Sequence, residues 1–172
     1  MILIPKYSNL IEVAGSVSLV LTDQESGEIR QEIYVPNLVV TTGKNFIASS
    51  MLKTTTNTPA AMTHMGIGLG STLEVAGDLA LGQELTIGTS PYGYSRAVVT
   101  GAIGTSANQV QYSATFAANN PNSSIGSGGA TLREAGIFNA ATAGTMLCRT
   151  TFPVVTKLAA DALTITWTIT IS

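Results

Sequence analysis

The sequence predicts a mainly β fold: an antiparallel β-sandwich of about seven to nine strands, with one short helix and an extended N-terminal arm. Three observations predict it. Apolar residues recur at every second position, most clearly in Leu163, Ile165, Trp167, Ile169 and Ile171, which alternate with Thr164, Thr166, Thr168 and Thr170. That period belongs to a strand with one buried face. Polar or glycine-bearing segments separate such runs, and only one stretch carries an apolar stripe at helical spacing.

The elements follow in order. Residues 1–15 are an apolar lead-in broken by Pro5 and Gly15 and are expected to be an arm. Residues 16–35 form a leading hairpin. Val17, Leu19 and Leu21 share one face, DQESGE at 23–28 turns the chain, and Ile29, Ile33 and Val35 return it. Pro36 and Asn37 are expected to break that strand. A short helix is expected over 42–53, where Ile47 and Met51 lie four apart beside Phe46 and Leu52 and a threonine can cap.

The main sheet region spans 62–172. In MTHMGIGLG (62–70), Thr63, Met65, Ile67 and Leu69 fall on one side and His64, Gly66 and Gly68 on the other. A glycine face leaves room for a close neighbour. Residues 71–91 read as a long surface connection, with a helical turn possible over 78–85, and such loops are often interaction sites. A strand over 92–103 and the alternating Val110, Tyr112, Ala114 and Phe116 follow. NNPNSSIGSGGA (119–130) is a surface excursion. Residues 131–152 then make a hairpin that Phe152-Pro153 is expected to end. The whole chain, 1–172, is expected to be one domain.

Composition excludes several function classes. Charged residues are only 10 % of the chain, hydrophobic residues are 45 %, and the net charge is −2. Phosphate recognition needs clustered cations, and eight Lys plus Arg without a patch predict no nucleic-acid partner. No apolar run approaches the ~20 residues of a membrane helix, so no membrane partner is expected. The N-terminus lacks the basic start and unbroken apolar run of a secretory signal. A surface this poor in charge is suited to being covered by partners.

Chemistry is sparse. His64 is the only histidine, and no Gly-x-Ser-x-Gly elbow accompanies it. Cys148 is the only cysteine and sits in an apolar strand, where it reads as a small buried hydrophobe. Asp23, Glu25 and Glu28 lack the ligand spacing of a calcium loop. The glycines of 62–70 lack the Gly-Lys-Ser/Thr or strand–turn–helix context of a phosphate loop. The sequence therefore predicts no enzyme, no catalytic residues, no metal and no cofactor. The notable charges are Arg133, Glu134 and Arg149, placed inside one apolar hairpin. They read as structural or interface anchors. Because neighbours on a strand point to opposite faces, Arg133 and Glu134 cannot both face the core. His64, and Ile2, Ile4 and Tyr7 of the arm, are further candidate anchors.

Several stretches together resemble bacteriophage virion accessory proteins, in the tail-collar fibre and capsid decoration (cement) β-domain families. The stretches are NLVVTTGKNFIASSML at 37–52, THM and the glycine-containing strand after it at 63–70, TLREAGIF at 131–138, and TMLCRTTFPVVTK at 145–157. The resemblance covers roughly residues 37–157 and implies a non-enzymatic virion structural protein. Its implied partners are copies of itself, as a homotrimer, and other virion proteins such as the major capsid protein or tail and fibre proteins. Its implied location is the virion, assembled in the bacterial host cytoplasm. Such family domains head a long fibre, whereas one further strand follows here, and an arm and hairpin precede the matching region. These departures favour capsid decoration, with a tail, collar or baseplate anchor for a fibre as the alternative. A carbohydrate-binding adhesin is more remote, since aromatics are 6 % of the chain. The arm and the loops 71–91 and 119–130 are the expected contact segments.

Overall fold

The computed structural model describes residues 11–52, 59–86, 95–120 and 129–172. The threonine-alternating segment is strand β9 (Asp161–Ile171), and its Leu163, Ile165, Trp167 and Ile169 are buried. It lies between β1 (Val13–Asp23) and β6 (Gln109–Phe116), antiparallel to both. The leading hairpin runs from β1 to β2 (Ile29–Val39), with Gly27 at positive φ in its turn. β5 (Thr100–Ile103) completes this half of the sheet against β6.

The other half contains β3 (His64–Gly68), β4 (Ala97–Val98), β7 (Ala130–Phe138) and β8 (Met146–Lys157). The overall order is β4-β3-β7-β8-β2-β1-β9-β6-β5. Two corners turn this order into a ring. At one, β2 pairs with β1 along most of its length and then with β8 through Leu38 and Val39. At the other, β4 and β5 are separated in the chain by Val99 alone. The nine antiparallel strands therefore form a nearly closed, barrel-like sheet. The expected sandwich is corrected on this point, because strands that bend from one half to the other join the two layers into one ring.

Those corners explain further departures from the sequence reading. Pro36 and Asn37 do not break β2, because they sit where it changes partner. Pro153 does not end the 131–152 hairpin; β8 runs on to Lys157. The β7–β8 register shifts between Leu132 and Glu134, leaving Pro153 in an irregularity where its missing N–H is tolerated. The segment expected as one strand over 92–103 is described from 95 on and is split into β4 and β5. Helix α1 (Thr41–Leu52) starts one residue before the expected helix, and no helix forms over 78–85. The hairpin also reaches beyond 16–35 at both ends, so Val13–Gly15 belong to a strand and not to the arm.

One core fills the barrel. It joins Val17, Leu19 and Leu21 of β1, Met65 and Ile67 of β3, Phe116 of β6, Leu132 and Ile137 of β7, and the apolar face of β9. Each fully buried side chain of this kind contributes ~1.5–3 kcal/mol. Cys148 lies in this core, and burial pushes its thiol far above the ordinary range. The Thr face of β9 points outward. Its hydroxyls pair with Gln109, Gln111, Ser113 and Thr115 across β6 at 3.0–3.3 Å. At the β8–β9 turn, buried Lys157 donates to the Ala117 carbonyl at 2.9 Å. Buried Asp161 faces Arg30 at 3.4 Å, and Arg30 also pairs with Asp23. Burial draws the Lys157 ammonium down to about 8, against an opposing pull from Asp161.

Candidate interface site

The outer face of β3, β7 and β8 is covered by residues 69–86, and this cover is the most organised polar feature of the described residues. It begins with alternation. Met65 and Ile67 point into the barrel, so Gly66 and Gly68 face outward, and across from them lie Gly136 and Glu134 of β7. A Cβ at Gly68 would stand 2.5 Å from Glu134 Oε1, and one at Gly70 would also overlap that oxygen. The bare glycine face is the space that the Glu134 carboxylate occupies.

Glu134 is fully buried, and both oxygens are engaged. Oε1 accepts the backbone N–H groups of Gly70 at 3.0 Å and Gln83 at 2.6 Å. Oε2 accepts the Gly82 N–H at 2.9 Å and the Nε and Nη2 of Arg149 at 3.0 and 2.9 Å. Arg149 extends the network: Nη1 donates to Asp78 at 2.7 Å and Nη2 to the Thr72 carbonyl at 2.8 Å. Burial would lower the Arg149 pKa, but Asp78 and Glu134 outweigh it and hold the guanidinium above its ordinary value. Beside it, Thr151 donates its N–H and hydroxyl to Glu74 at 3.1 and 2.8 Å.

A second clamp holds the far end of the cover. Arg96 pairs with both oxygens of Glu84 at 2.6 and 2.9 Å and donates to the carbonyls of Ala140 and Ala143. Its guanidinium lies 3.4 Å from the centroid of the Phe138 ring. Phe138, Leu81, Val40 and Met146 form a small apolar cluster distinct from the barrel core. The α1 end is tied in as well, because the Thr41 N–H donates to the Ala76 carbonyl at 2.8 Å.

The inner side of this loop thus carries many bonds, while three large aliphatic residues stand on its exposed side. Leu73 is 74 % exposed, Val75 58 % and Leu79 69 %. Holding a loop this firmly while turning large aliphatic side chains to solvent pre-organises a contact surface. The clamp itself is poorly suited to proton transfer, since every Glu134 oxygen already accepts hydrogen bonds. No group of three or more His, Cys, Asp or Glu side chains is arranged for a metal among the described residues.

Of the residues singled out from sequence, the structure brings Glu134 and Arg149 together. Arg133 is exposed, apart from them. His64 lies on β3 opposite Phe138 and contacts the Thr63 hydroxyl through Nδ1 at 2.8 Å. Ile2, Ile4 and Tyr7 lie outside the described residues, as do parts of the 71–91 and 119–130 loops. Sequence reasoning missed Glu74, Asp78, Glu84 and Arg96. The signal available for them was the glycine face of β3, which announced a neighbour, together with three acids in the following loop. Comparison of the chain with protein-family models, curated proteins and solved structures gave no match.

Proposed function

We propose that this protein is a non-enzymatic bacteriophage virion structural protein, an oligomeric accessory subunit that binds and stabilises neighbouring virion proteins as a capsid decoration protein. The observation that carries an assembly role is the clamped loop 69–86, which presents Leu73, Val75 and Leu79 from a fixed backbone. Rigid apolar anchors lose little entropy on binding, and they dominate interface energetics when buried centrally. The resemblance of 37–157 to virion accessory domains supplies the setting. In this reading the partners are copies of the chain, as trimers, and the major capsid protein.

Two measurements test it. Sedimentation of the purified protein is expected to show a trimer, and Leu73→Ser/Val75→Ser/Leu79→Ser is expected to give monomers with unchanged thermal stability. A wild type that stays monomeric at high concentration would count against the assembly role. Labelling the protein in intact particles reads the setting. Sixty-fold or higher occupancy supports decoration, whereas three-, six- or twelve-fold occupancy would move the protein to the tail.

A further inference from the structure

Large aliphatic side chains face solvent in two neighbouring places of opposite shape. One is the clamped loop, a raised strip that carries Leu73, Val75 and Leu79 over the outer face of the sheet. The other is concave and lies where α1 crosses one mouth of the barrel. On one flank of the helix a hollow of about 290 Å³ is lined by Phe46, Ile47, Met51, Tyr112 and Ile169, among others. On the other flank a hollow of about 560 Å³ is lined by Ile11–Val13 and by Lys44, Ile47 and Met51. The two share Ile47 and Met51, so they form one groove astride the C-terminal half of the helix. Its rim is apolar, with Met51 78 % exposed and Leu52 and Ile11 also exposed.

We propose that this groove receives the clamped loop of a second copy, with Leu73, Val75 and Leu79 of one subunit packed against Ile11, Ile47 and Met51 of the next. The inference rests on the assembly role proposed above and names the surface that the loop meets. The loop cannot fill the groove of its own chain. Glu134 and Arg149 fix its backbone, and the Thr41 N–H holds Ala76 at the N-terminal end of α1. Met51 lies three turns along that helix, ~15 Å away at ~1.5 Å per residue. Nor does the loop suit its own counterpart: two raised strips face to face would leave the grooves empty and set acidic segments against each other. Residues 69–86 carry Glu74, Asp78 and Glu84 and no Lys or Arg. Arg149 and Arg96 pair with Asp78 and Glu84, whereas Glu74 is held by Thr151 and has no cation partner among the described residues. Lys44, exposed in the wall of the larger hollow, likewise has no ion pair among the described residues. Glu74 of one copy meeting Lys44 of the next would orient the contact more than strengthen it, while exposed Glu12 stays at the wet rim. The contact joins two different patches, so each subunit uses both and the pairing repeats around a ring.

The test mixes two single-cysteine variants of the full-length protein, Val75→Cys and Met51→Cys. The native Cys148 is buried and does not compete. With a short bismaleimide linker, the mixture is expected to give a cross-linked dimer on denaturing gels, and either variant alone is expected to give none. A dimer from Met51→Cys alone would mean groove against groove, and one from Val75→Cys alone would mean loop against loop. Either result overturns the proposal, as does a mixture that gives no cross-link. Sedimentation of Met51→Lys supplies a reading without cysteines. This exposed substitution is expected to weaken association by about tenfold or more at unchanged thermal stability. If Met51→Lys stays assembled while Leu73→Ser/Val75→Ser/Leu79→Ser dissociates, the groove is not the receiving surface and the assembly role stands. A monomeric parent protein removes both.

Discussion

The two outer faces of this barrel are finished in opposite ways. Over β6 and β9, hydroxyl and amide side chains pair across neighbouring strands, one short bond at a time, and the face stays open to water. Over β3, β7 and β8, one carboxylate and one guanidinium gather backbone groups from a whole loop. The first arrangement is divisible, since each Thr–Ser or Thr–Gln pair can be lost without orphaning the next. The second is cooperative: removing the carboxylate takes the partner from buried Arg149 and the acceptor from several N–H groups at once.

That difference sets a ranking of substitutions. Glu134→Ala leaves buried Arg149 without the carboxylate oxygen that accepts from both its Nε and Nη2, and three loop N–H groups without an acceptor. It is expected to destabilise the protein by ~3–5 kcal/mol in chemical denaturation, with faster amide exchange at Gly70, Gly82 and Gln83. A loss comparable to that of a surface threonine would erase the distinction between the faces. Gly68→Ala leaves every charge in place but puts a methyl group against Glu134 Oε1, with an expected cost of ~1–3 kcal/mol. Glu134→Asp combined with Gly68→Ala, which withdraws the carboxylate, tests whether the clash is the cause.

Titration separates the clamp's cation from the other buried one. Arg149 keeps its charge throughout the accessible range, whereas Lys157 sheds its proton near pH 8 in the folded state and near 10.5 unfolded. Between those values the unfolded chain binds more protons, so stability rises with pH, by less than ~1.4 kcal/mol per unit. Below pH 8 both states are protonated and this slope vanishes. Lys157→Met should flatten the curve, as read from denaturation midpoints between pH 7 and 10. The smallest effect belongs to the open face. Thr166→Val, which removes a 3.3 Å bond to Ser113, is expected to change stability by no more than ~0.5 kcal/mol.

How much of this was legible in the sequence depended on whether a feature was periodic. The strands with clean alternation, β1, β6 and β9, were readable because their apolar residues fall on one face. Helix α1 was readable from its apolar spacing, although of that stripe only Phe46 and Ile47 pack against the core while Met51 and Leu52 are exposed. The ring was not readable. Pro36-Asn37 and Phe152-Pro153 look like stops in sequence, yet both lie inside strands, at a change of partner and at a register irregularity. Proline signals a missing donor, and only the fold decides whether that position needs one. For the candidate site, Arg133, Glu134 and Arg149 stood out by rarity alone. Which of them would meet depended on the local register of β7 and β8. Asp78 lies in a segment without a period to read, and Arg96, though inside the strand expected over 92–103, finds its partner Glu84 only through the fold.

The corner at Val99 bears on how this protein can join others. The strands at the two ends of the sheet order, β4 and β5, are two and four residues long and adjoin in the chain. Little unpaired backbone is left for another chain to extend the sheet as an added strand, the usual route by which β proteins recruit partners or aggregate. A fold finished this way resists polymerising through its backbone at β4 and β5, so any partner met at these edges would have to be held by side chains.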